Sequence, residues 1–248
     1  RGGYPDGGAL QPDNFPTWQN EYLNLLAEKD LPNWGLPAKP QVIRRLFKML
    51  AHSHGRLWNA SQVAAGLGLS YHTVNSYVDY LVNAYLIRLL PPFHANIRKR
   101  FVKSPKLYWR DSGLLHALLG AAHGEDLLAH PWVGASWEGW VIEQILSHLS
   151  AKGAPHEAFF ARTKDGEELD LLLDLPAGRW AVEIKLTSCP GPEDMRKLKS
   201  MADLVNADRR ALISRTPAPV AEGSTLSASL KDFLQAVGAV TCASAPAP

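Results

Sequence analysis

Two short apolar runs separated by a turn sequence constrain the fold of this chain more than any other feature. The first run is Glu168-Leu-Asp-Leu-Leu-Leu-Asp174, and the second is Trp180-Ala-Val-Glu-Ile-Lys-Leu186. The four residues Pro176-Ala-Gly-Arg179 lie between them. Apolar runs of this length, bounded by Pro and Gly, predict two β-strands joined as a hairpin.

Side-chain alternation brings charged residues of this hairpin to one face. In the second run, Glu183 and Lys185 point to the side opposite the large apolar residues, and in the first run Asp170 shares a face with Leu172. An even-length loop centred on the Ala-Gly step of the turn places Asp170 opposite Lys185 and Leu172 opposite Glu183. A loop of odd length would send Asp170 to the other face, so the convergence of the three charged residues depends on the register.

Two carboxylates held close together predict a cation between them. Their repulsion is costly unless it is neutralised, and Mg²⁺ prefers oxygen ligands. Lys185 could then orient or deprotonate an attacking water, or neutralise charge on a phosphorane-like transition state, which indicates phosphodiester hydrolysis. The alternative interpretation is an ordinary exposed ion pair between Glu183 and Lys185, the commoner meaning of an isolated Glu-x-Lys sequence.

A third candidate carboxylate precedes the hairpin. Residues Gly134–Leu149 have helical periodicity, and Glu138 falls in the middle of the apolar stripe. A carboxylate there needs a cation or hydrogen-bond donors. A metal site meets this need, and so does a buried ion pair, for instance with Arg162.

Upstream of this helix, the sequence predicts a winged helix-turn-helix domain. Helical patterns begin at Gln41, at Asn59 and at Tyr71, and the runs Leu86–Leu90 and Lys106–Arg110 can supply a two-stranded wing. The start of the third helix offers side chains that can contact base edges or phosphates: Tyr71, His72, Thr73 and Asn75. Basic residues near the wing are candidates for contacts with the phosphate backbone: Arg98, Lys99, Arg100, Lys103 and Lys106. Winged helices also serve as protein-docking modules, and this alternative stays open.

Composition favours two domains and excludes several classes of protein. The chain has 248 residues, 46% of them hydrophobic, and a formal charge of +2. It has two Cys, no apolar run long enough to span a membrane and no Gly-x-x-x-x-Gly-Lys-Ser/Thr loop, so we expect a cytoplasmic protein that binds no nucleotide in this chain. The predicted parts are a linker or lid remnant at 1–40, the winged helix at 41–130, an α/β domain at 131–240 and a disordered tail at 241–248.

Residues from about Val133 onward resemble the PD-(D/E)xK nuclease superfamily. The resemblance is carried by Glu138, Asp170 and the tripeptide Glu183-Ile-Lys185. It implies an α/β fold with a central mixed sheet, in which Glu138, Asp170 and Glu183 hold Mg²⁺ and Lys185 assists the attacking water.

The whole chain resembles the C-terminal region of a family of prokaryotic AAA-type ATPases. Arg1-Gly-Gly-Tyr-Pro5, Ser104–Leu114 and Gly166-Glu-Glu-Leu-Asp170 match phrases of that family. In such proteins a nucleotide-binding domain precedes a winged helix and a nuclease-like domain of unknown function. The expected partners are therefore DNA and an ATPase domain in the full-length chain, and a homo-oligomer stays open.

Three functions follow as expectations. One is a DNA-binding protein whose nuclease-like domain hydrolyses phosphodiesters with Mg²⁺. The alternatives are a non-catalytic nucleic-acid-binding or regulatory module that serves an ATPase, or a protein-interaction module.

Overall fold

The computed structural model describes residues 1–94, 101–121 and 127–243. It is mixed α/β, as the sequence predicts, and it contains two sheets. The chain divides into two compact units. Unit 1 comprises residues 1–89 and 105–140, and unit 2 comprises residues 90–104 and 141–248.

Unit 1 is mainly helical and contains a small sheet. Its helices are α1 (Thr17–Leu25), α2 (Leu31–Asn33), α3 (Pro40–His52), α4 (Ala60–Leu67), α5 (Tyr71–Asn83) and α6 (Ser112–Leu118). Its strands are β1 (Arg56–Leu57), β2 (Ile87–Leu90) and β3 (Lys106–Trp109), which form a sheet in the order β1-β3-β2. A longer helix, α7 (Val133–Ala151), begins in unit 1 and continues into unit 2.

Local sequence signals set the ends of the helices in unit 1. Ser70 caps α5, because its hydroxyl accepts a hydrogen bond of 3.1 Å from the Thr73 N–H. Asp111 caps α6 in the same way, accepting from Leu114 N–H at 2.8 Å. The helix α4 ends at Gly68, which is left-handed with φ of +67°.

Several of the first forty residues contribute to the core of unit 1. They were predicted to be a linker or lid remnant, yet Leu23, Leu26 and Leu31 are buried in the same hydrophobic cluster as Ile43 and Leu46. Apolar side chains at helical spacing on α1, on the turn that follows it and on α2 supply this contact.

Unit 2 is built on a six-stranded mixed sheet. Its strands are β4 (Glu157–Arg162), β5 (Glu168–Leu175), β6 (Gly178–Ile184), β7 (Arg209–Ile213), β8 (Val220–Glu222) and β9 (Thr225–Ala228). The strand order is β4-β5-β6-β7-β9-β8, with β6 parallel to β7 and β7 parallel to β9. The helices α8 (Pro192–Leu204) and α9 (Leu230–Ala243) complete the unit.

The helices α8 and α9 cover opposite faces of this sheet. Ala181 packs in a cluster with Leu198 of α8, whereas its neighbour Trp180 contacts Phe233 of α9. Adjacent strand residues point to opposite faces, so the two helices are separated by the sheet. Glu183 shares the face of Ala181, which is the α8 face.

The β5–β6 hairpin forms as predicted, but its predicted register is wrong by two residues. Leu175 pairs with Gly178, so Pro176 and Ala177 make the loop, and Leu172 lies opposite Ala181 instead of Glu183. The loop length is still even, and the error therefore changes neither strand's face. Asp170 and Glu183 remain on one side of the sheet.

The described part of the chain contains no helix with the length and apolar character needed to cross a membrane.

Candidate functional site

Asp170 lies where the β5–β6 ladder ends. The last pair of the register is Leu171 with Val182, although both strands extend further. Beyond that pair, the Asp170 side chain accepts a hydrogen bond of 2.8 Å from the Ile184 N–H. The carboxylate thus takes the place of a strand carbonyl, and this bond holds it next to the backbone that carries Glu183 and Lys185.

Glu183 and Lys185 form an ion pair beside Asp170. The distance from Lys185 Nζ to Glu183 Oε1 is 2.6 Å. Asp170 and Glu183 are only 7% and 5% exposed, whereas the Lys185 side chain is 37% exposed. The pair is therefore unlike an ordinary exposed ion pair, because its carboxylate is buried while its ammonium reaches solvent.

Neighbouring carboxylates hold Lys185 in its charged form. Burial by itself lowers the pKa of the Lys185 ammonium, but the charges of Glu183, Asp170 and Asp194 outweigh burial, and the pKa is raised. Lys185 is thus a cation at neutral pH. In this state it can neutralise negative charge or orient a water molecule, and it cannot accept a proton.

Glu168 is a further carboxylate that the sequence analysis missed. It precedes Asp170 by two residues on β5, and oxygens of the two carboxylates lie within 4.8 Å of each other. Glu168 also forms an ion pair with Arg162, in which Arg162 Nη1 lies 3.1 Å from Glu168 Oε2. The signal was present in the sequence, because residues two apart on a strand share a face.

Glu138 contacts a buried lysine within unit 1. Its Oε1 atom accepts hydrogen bonds from Lys106 Nζ at 2.8 Å and from the Tyr108 hydroxyl. The Lys106 side chain is only 3% exposed, so this is a buried ion pair. Its partner is Lys106, whereas the sequence analysis suggested Arg162 as an example. A place for Glu138 beside the carboxylates of unit 2 stays a prediction.

The residues proposed to contact nucleic acid differ in how available they are. At the start of α5, Tyr71 and His72 are exposed and pack edge to face. Thr73 is partly buried and bonds to the capping Ser70 hydroxyl at 2.8 Å. The Asn75 carbonyl oxygen accepts from Trp58 Nε1 at 3.0 Å, and this bond ties α5 to the strand end before α4. Of these four residues, Tyr71 and His72 are thus the two whose side chains are exposed and can contact nucleic acid.

The basic residues near the predicted wing are only partly described. Arg98, Lys99 and Arg100 lie outside the described residues. Lys103 is exposed, as a phosphate contact requires. Lys106 is buried and paired with Glu138, so the prediction that it contributes to a phosphate-binding surface is wrong.

The carboxylates at the candidate site of unit 2 have donor atoms of the kind that bind a divalent metal ion. Asp170 and Glu168 offer carboxylate oxygens within 4.8 Å of each other, and Glu183 offers another on the same face of the sheet as Asp170. Carboxylate oxygens are the ligands that Mg²⁺ prefers, and Asp170 and Glu183 are almost fully buried. A buried cluster of carboxylates is stable only with compensating positive charge. Lys185 and Arg162 supply part of that charge.

Comparison with known proteins supports a two-part chain. Residues 133–231 match the model of a Domain of unknown function (DUF4143). The chain is 39% identical over 191 residues to the uncharacterized protein Mb2031c of Mycobacterium bovis and to the uncharacterized protein Rv2008c of Mycobacterium tuberculosis. These matches cover 77% of this chain and 42% of each relative, so the chain spans less than half the length of the curated relatives it matches. Residues 1–124, half of the chain, match the model of another Domain of unknown function (DUF8612), and the chain belongs to that family.

Proposed function

We propose that unit 2 is a Mg²⁺-dependent phosphodiesterase of the PD-(D/E)xK type that acts on DNA. The observation that carries the proposal is the placement of Asp170 and Glu183, both buried, on one face of the sheet beside the cationic Lys185. Buried carboxylates with an adjacent ammonium are the groups that metal-assisted phosphodiester hydrolysis requires.

Each residue has a distinct role in this proposal. Asp170 and Glu183 would hold Mg²⁺, with Glu168 as a further donor. The ion, when bound, supplies Lewis-acid activation of the phosphodiester and of a water molecule. Lys185 keeps its proton, because its pKa is raised, and stabilises negative charge on the phosphoryl oxygens or orients the water. The Ile184 N–H fixes the Asp170 carboxylate so that little reorganisation is needed.

A second candidate function is a non-catalytic nucleic-acid-binding module that serves an ATPase. It is favoured by the exposed Tyr71 and His72 at the start of α5, the exposed Lys103, and the winged-helix order of elements proposed for unit 1. The association of DUF4143 domains with AAA-type ATPases agrees with such a role. This candidate predicts salt-dependent binding of DNA that does not require Asp170.

Cleavage assays separate the two candidates. The purified chain is incubated with supercoiled, linear and single-stranded DNA in Mg²⁺ or in EDTA, and Asp170→Asn and Lys185→Met are compared with wild type. Lys197→Met is the matched control, because Lys197 forms an exposed pair with Glu193 at 3.1 Å. The phosphodiesterase proposal expects cleavage by wild type and Lys197→Met that EDTA, Asp170→Asn and Lys185→Met abolish. DNA binding without cleavage of any substrate would favour the second candidate, and equal cleavage by all variants would reject the site.

A further inference from the structure

One face of α3 carries exposed cations. Helical positions that are four, three and four residues apart share a face. This spacing aligns four exposed polar side chains along the helix: Gln41, Arg45, Lys48 and His52. We call these four residues the α3 stripe. The buried side chains Ile43, Phe47 and Leu50 lie on the opposite face of α3, so the stripe points away from the core of unit 1.

The positive charge of the α3 stripe is not neutralised within the described part of the chain. The side chains of Arg45 and Lys48 form no hydrogen bond or ion pair with another described residue. Arg44, which flanks the stripe, pairs with Glu28 at 2.7 Å. Helix α3 itself contains no Asp or Glu. Arg45 and Lys48 are therefore available to a negatively charged partner.

The composition of the α3 stripe favours phosphate groups over a protein surface as its partner. A protein interface usually has an apolar or aromatic centre in which Lys is rare, whereas all four residues of the stripe are polar. The partly buried apolar side chains of Val42 and Met49 pack against the core of unit 1. Contacts with a phosphate backbone need only Lys, Arg and other hydrogen-bond donors. We propose that the α3 stripe binds the phosphate backbone of a nucleic acid, with Arg45 and Lys48 contacting one phosphate each.

This surface supplies positive charge that α5 lacks. Helix α5 contains no Lys or Arg, and it carries the exposed Asp79, which repels phosphates. Much of the affinity of a protein for nucleic acid comes from cationic contacts with phosphates. Base contacts by α5 would therefore need cations elsewhere in unit 1. The inference rests on the proposed action on nucleic acid, because it names a surface that holds the substrate.

Helix α8 of unit 2 provides a matched control. Arg196 and Lys199 are exposed and three residues apart, as Arg45 and Lys48 are. Their side chains likewise form no hydrogen bond or ion pair with another residue that the structure describes. Replacement of either pair by Gln removes two positive charges from an exposed helix face. A difference between the two double variants thus reports the position of the charges and not the net charge of the protein.

The test measures binding of fluorescent duplex and single-stranded DNA by anisotropy, at several salt concentrations and without Mg²⁺, so that no strand is cut. Arg45→Gln/Lys48→Gln is compared with wild type and with Arg196→Gln/Lys199→Gln, and thermal melting confirms that each variant is folded. A poly-glutamate peptide, added at a charge concentration equal to that of the DNA, represents an acidic protein as competitor.

We expect Arg45→Gln/Lys48→Gln alone to raise the Kd for DNA, by about tenfold or more at about 0.1 M salt. The slope of log K against log salt should become shallower by about 1.8 for duplex DNA or about 1.4 for a single strand. Each of the two lost phosphate contacts contributes about 0.9 or about 0.7 to this change. Arg196→Gln/Lys199→Gln should bind within about twofold of wild type, and the peptide should not displace the DNA.

The other outcomes overturn the inference and separate it from the proposed function. A Kd for Arg45→Gln/Lys48→Gln within about twofold of wild type would show that the α3 stripe does not bind nucleic acid, and the proposed cleavage by unit 2 would be untouched. Equal losses in both double variants would indicate attraction by net charge. Displacement of DNA by the peptide would assign the stripe to an acidic protein. If wild type binds neither form of DNA at low salt, the inference is rejected, and the cleavage assay in Mg²⁺ decides the proposed function separately.

Discussion

The carboxylate of Asp170 accepts the Ile184 N–H at 2.8 Å, at the position where a strand carbonyl would otherwise complete the ladder. A side chain therefore replaces the main chain at the point where β5 and β6 stop pairing. The bond has a structural role, and it also fixes the carboxylate of Asp170, a proposed metal ligand, next to the backbone that carries Glu183 and Lys185. These two roles can be separated by substitution.

Asp170→Asn and Asp170→Ala should differ in stability but not in activity. Asparagine keeps an oxygen that can accept the Ile184 N–H, so we expect a change of within about 1 kcal/mol in the free energy of unfolding. Alanine removes the acceptor of a buried N–H, which costs about 1 to 3 kcal/mol. Both substitutions should abolish Mg²⁺-dependent cleavage. Urea denaturation and a plasmid-cleavage assay on the same preparations check this, and an active Asp170→Asn enzyme would contradict it.

Lys185→Met should destabilise the protein far more than Lys197→Met. The first substitution removes the ammonium at 2.6 Å from the buried Glu183 carboxylate, and we expect a loss of about 2 to 3 kcal/mol. The second breaks an exposed pair and should cost at most about 0.5 kcal/mol. Chemical denaturation at pH 7 compares the two, and equal losses would show that the Glu183–Lys185 pair behaves as an exposed one.

The raised pKa of Lys185 determines how its contribution to the stability of the folded protein changes with pH. A base whose pKa is higher in the folded state stabilises the protein below its unfolded pKa, 10.5, and this contribution is lost as the pH rises through the folded value. The difference in stability between wild type and Lys185→Met should therefore be constant from pH 7 to pH 9.5. A difference that disappears below pH 9 would mean that the lysine is neutral in the folded protein.

Glu138→Ala should cost about 2 to 4 kcal/mol of stability, because the buried Lys106 ammonium loses a carboxylate at 2.8 Å. Glu28→Ala breaks the exposed pair with Arg44 and provides the control, with a loss of at most about 0.5 kcal/mol. The double variant Lys106→Met/Glu138→Leu should recover most of the loss, since it removes both charges together. A double variant that is less stable than Glu138→Ala would contradict this account of the pair.

Stability should fall as the pH drops from 6.5 to about 4. Burial lowers the pKa of both His54 and His116 from 6.5 to about 4. In this window the unfolded chain binds protons that the folded chain excludes, so each histidine contributes a loss of up to about 3 kcal/mol. The hydrogen bonding of His54 gives a further reason for this loss of stability. His54 Nδ1 accepts the Trp109 N–H at 3.0 Å, and a proton on that nitrogen would break the bond.

Unfolding midpoints in urea at pH 7 and pH 5 test the histidine prediction. His54→Gln and His116→Gln should each flatten the pH dependence, and substitution of the exposed His52 should leave it unchanged. A pH dependence that stays the same in both buried-histidine variants would assign the acid sensitivity to other groups.

Alternation along the two strands predicted the hairpin, and together with a loop of even length it predicted the shared face of Asp170 and Glu183. It could not determine the register, because every even loop preserves the face. The turn is closed by Pro176 and Ala177, while Gly178 enters β6 with φ of +119°. A side chain at Gly178 would also approach Asp208 Oδ2 to 2.9 Å, and this contact depends on tertiary structure.

Sequence patterns could not predict which residues far apart in the chain contact each other. Glu138 and Lys106 are 32 residues apart, and nothing in either local pattern selects one as the partner of the other. The packing of Leu23 and Leu31 against α3 was missed for a similar reason, since Pro and Gly in the flanking sequence suggested a linker. Glu168, by contrast, could be predicted from the alternation on β5, because it lies two residues before Asp170.

The central claim is that Asp170 and Glu183 bind a divalent metal ion. Crystals of wild type and Asp170→Asn soaked in Mn²⁺, with anomalous diffraction recorded from both, test it directly. The account predicts an anomalous peak within bonding distance of both carboxylates in wild type and no peak in Asp170→Asn. Wild-type crystals that show no peak at these carboxylates, with Lys185 still bonded to Glu183, would contradict it.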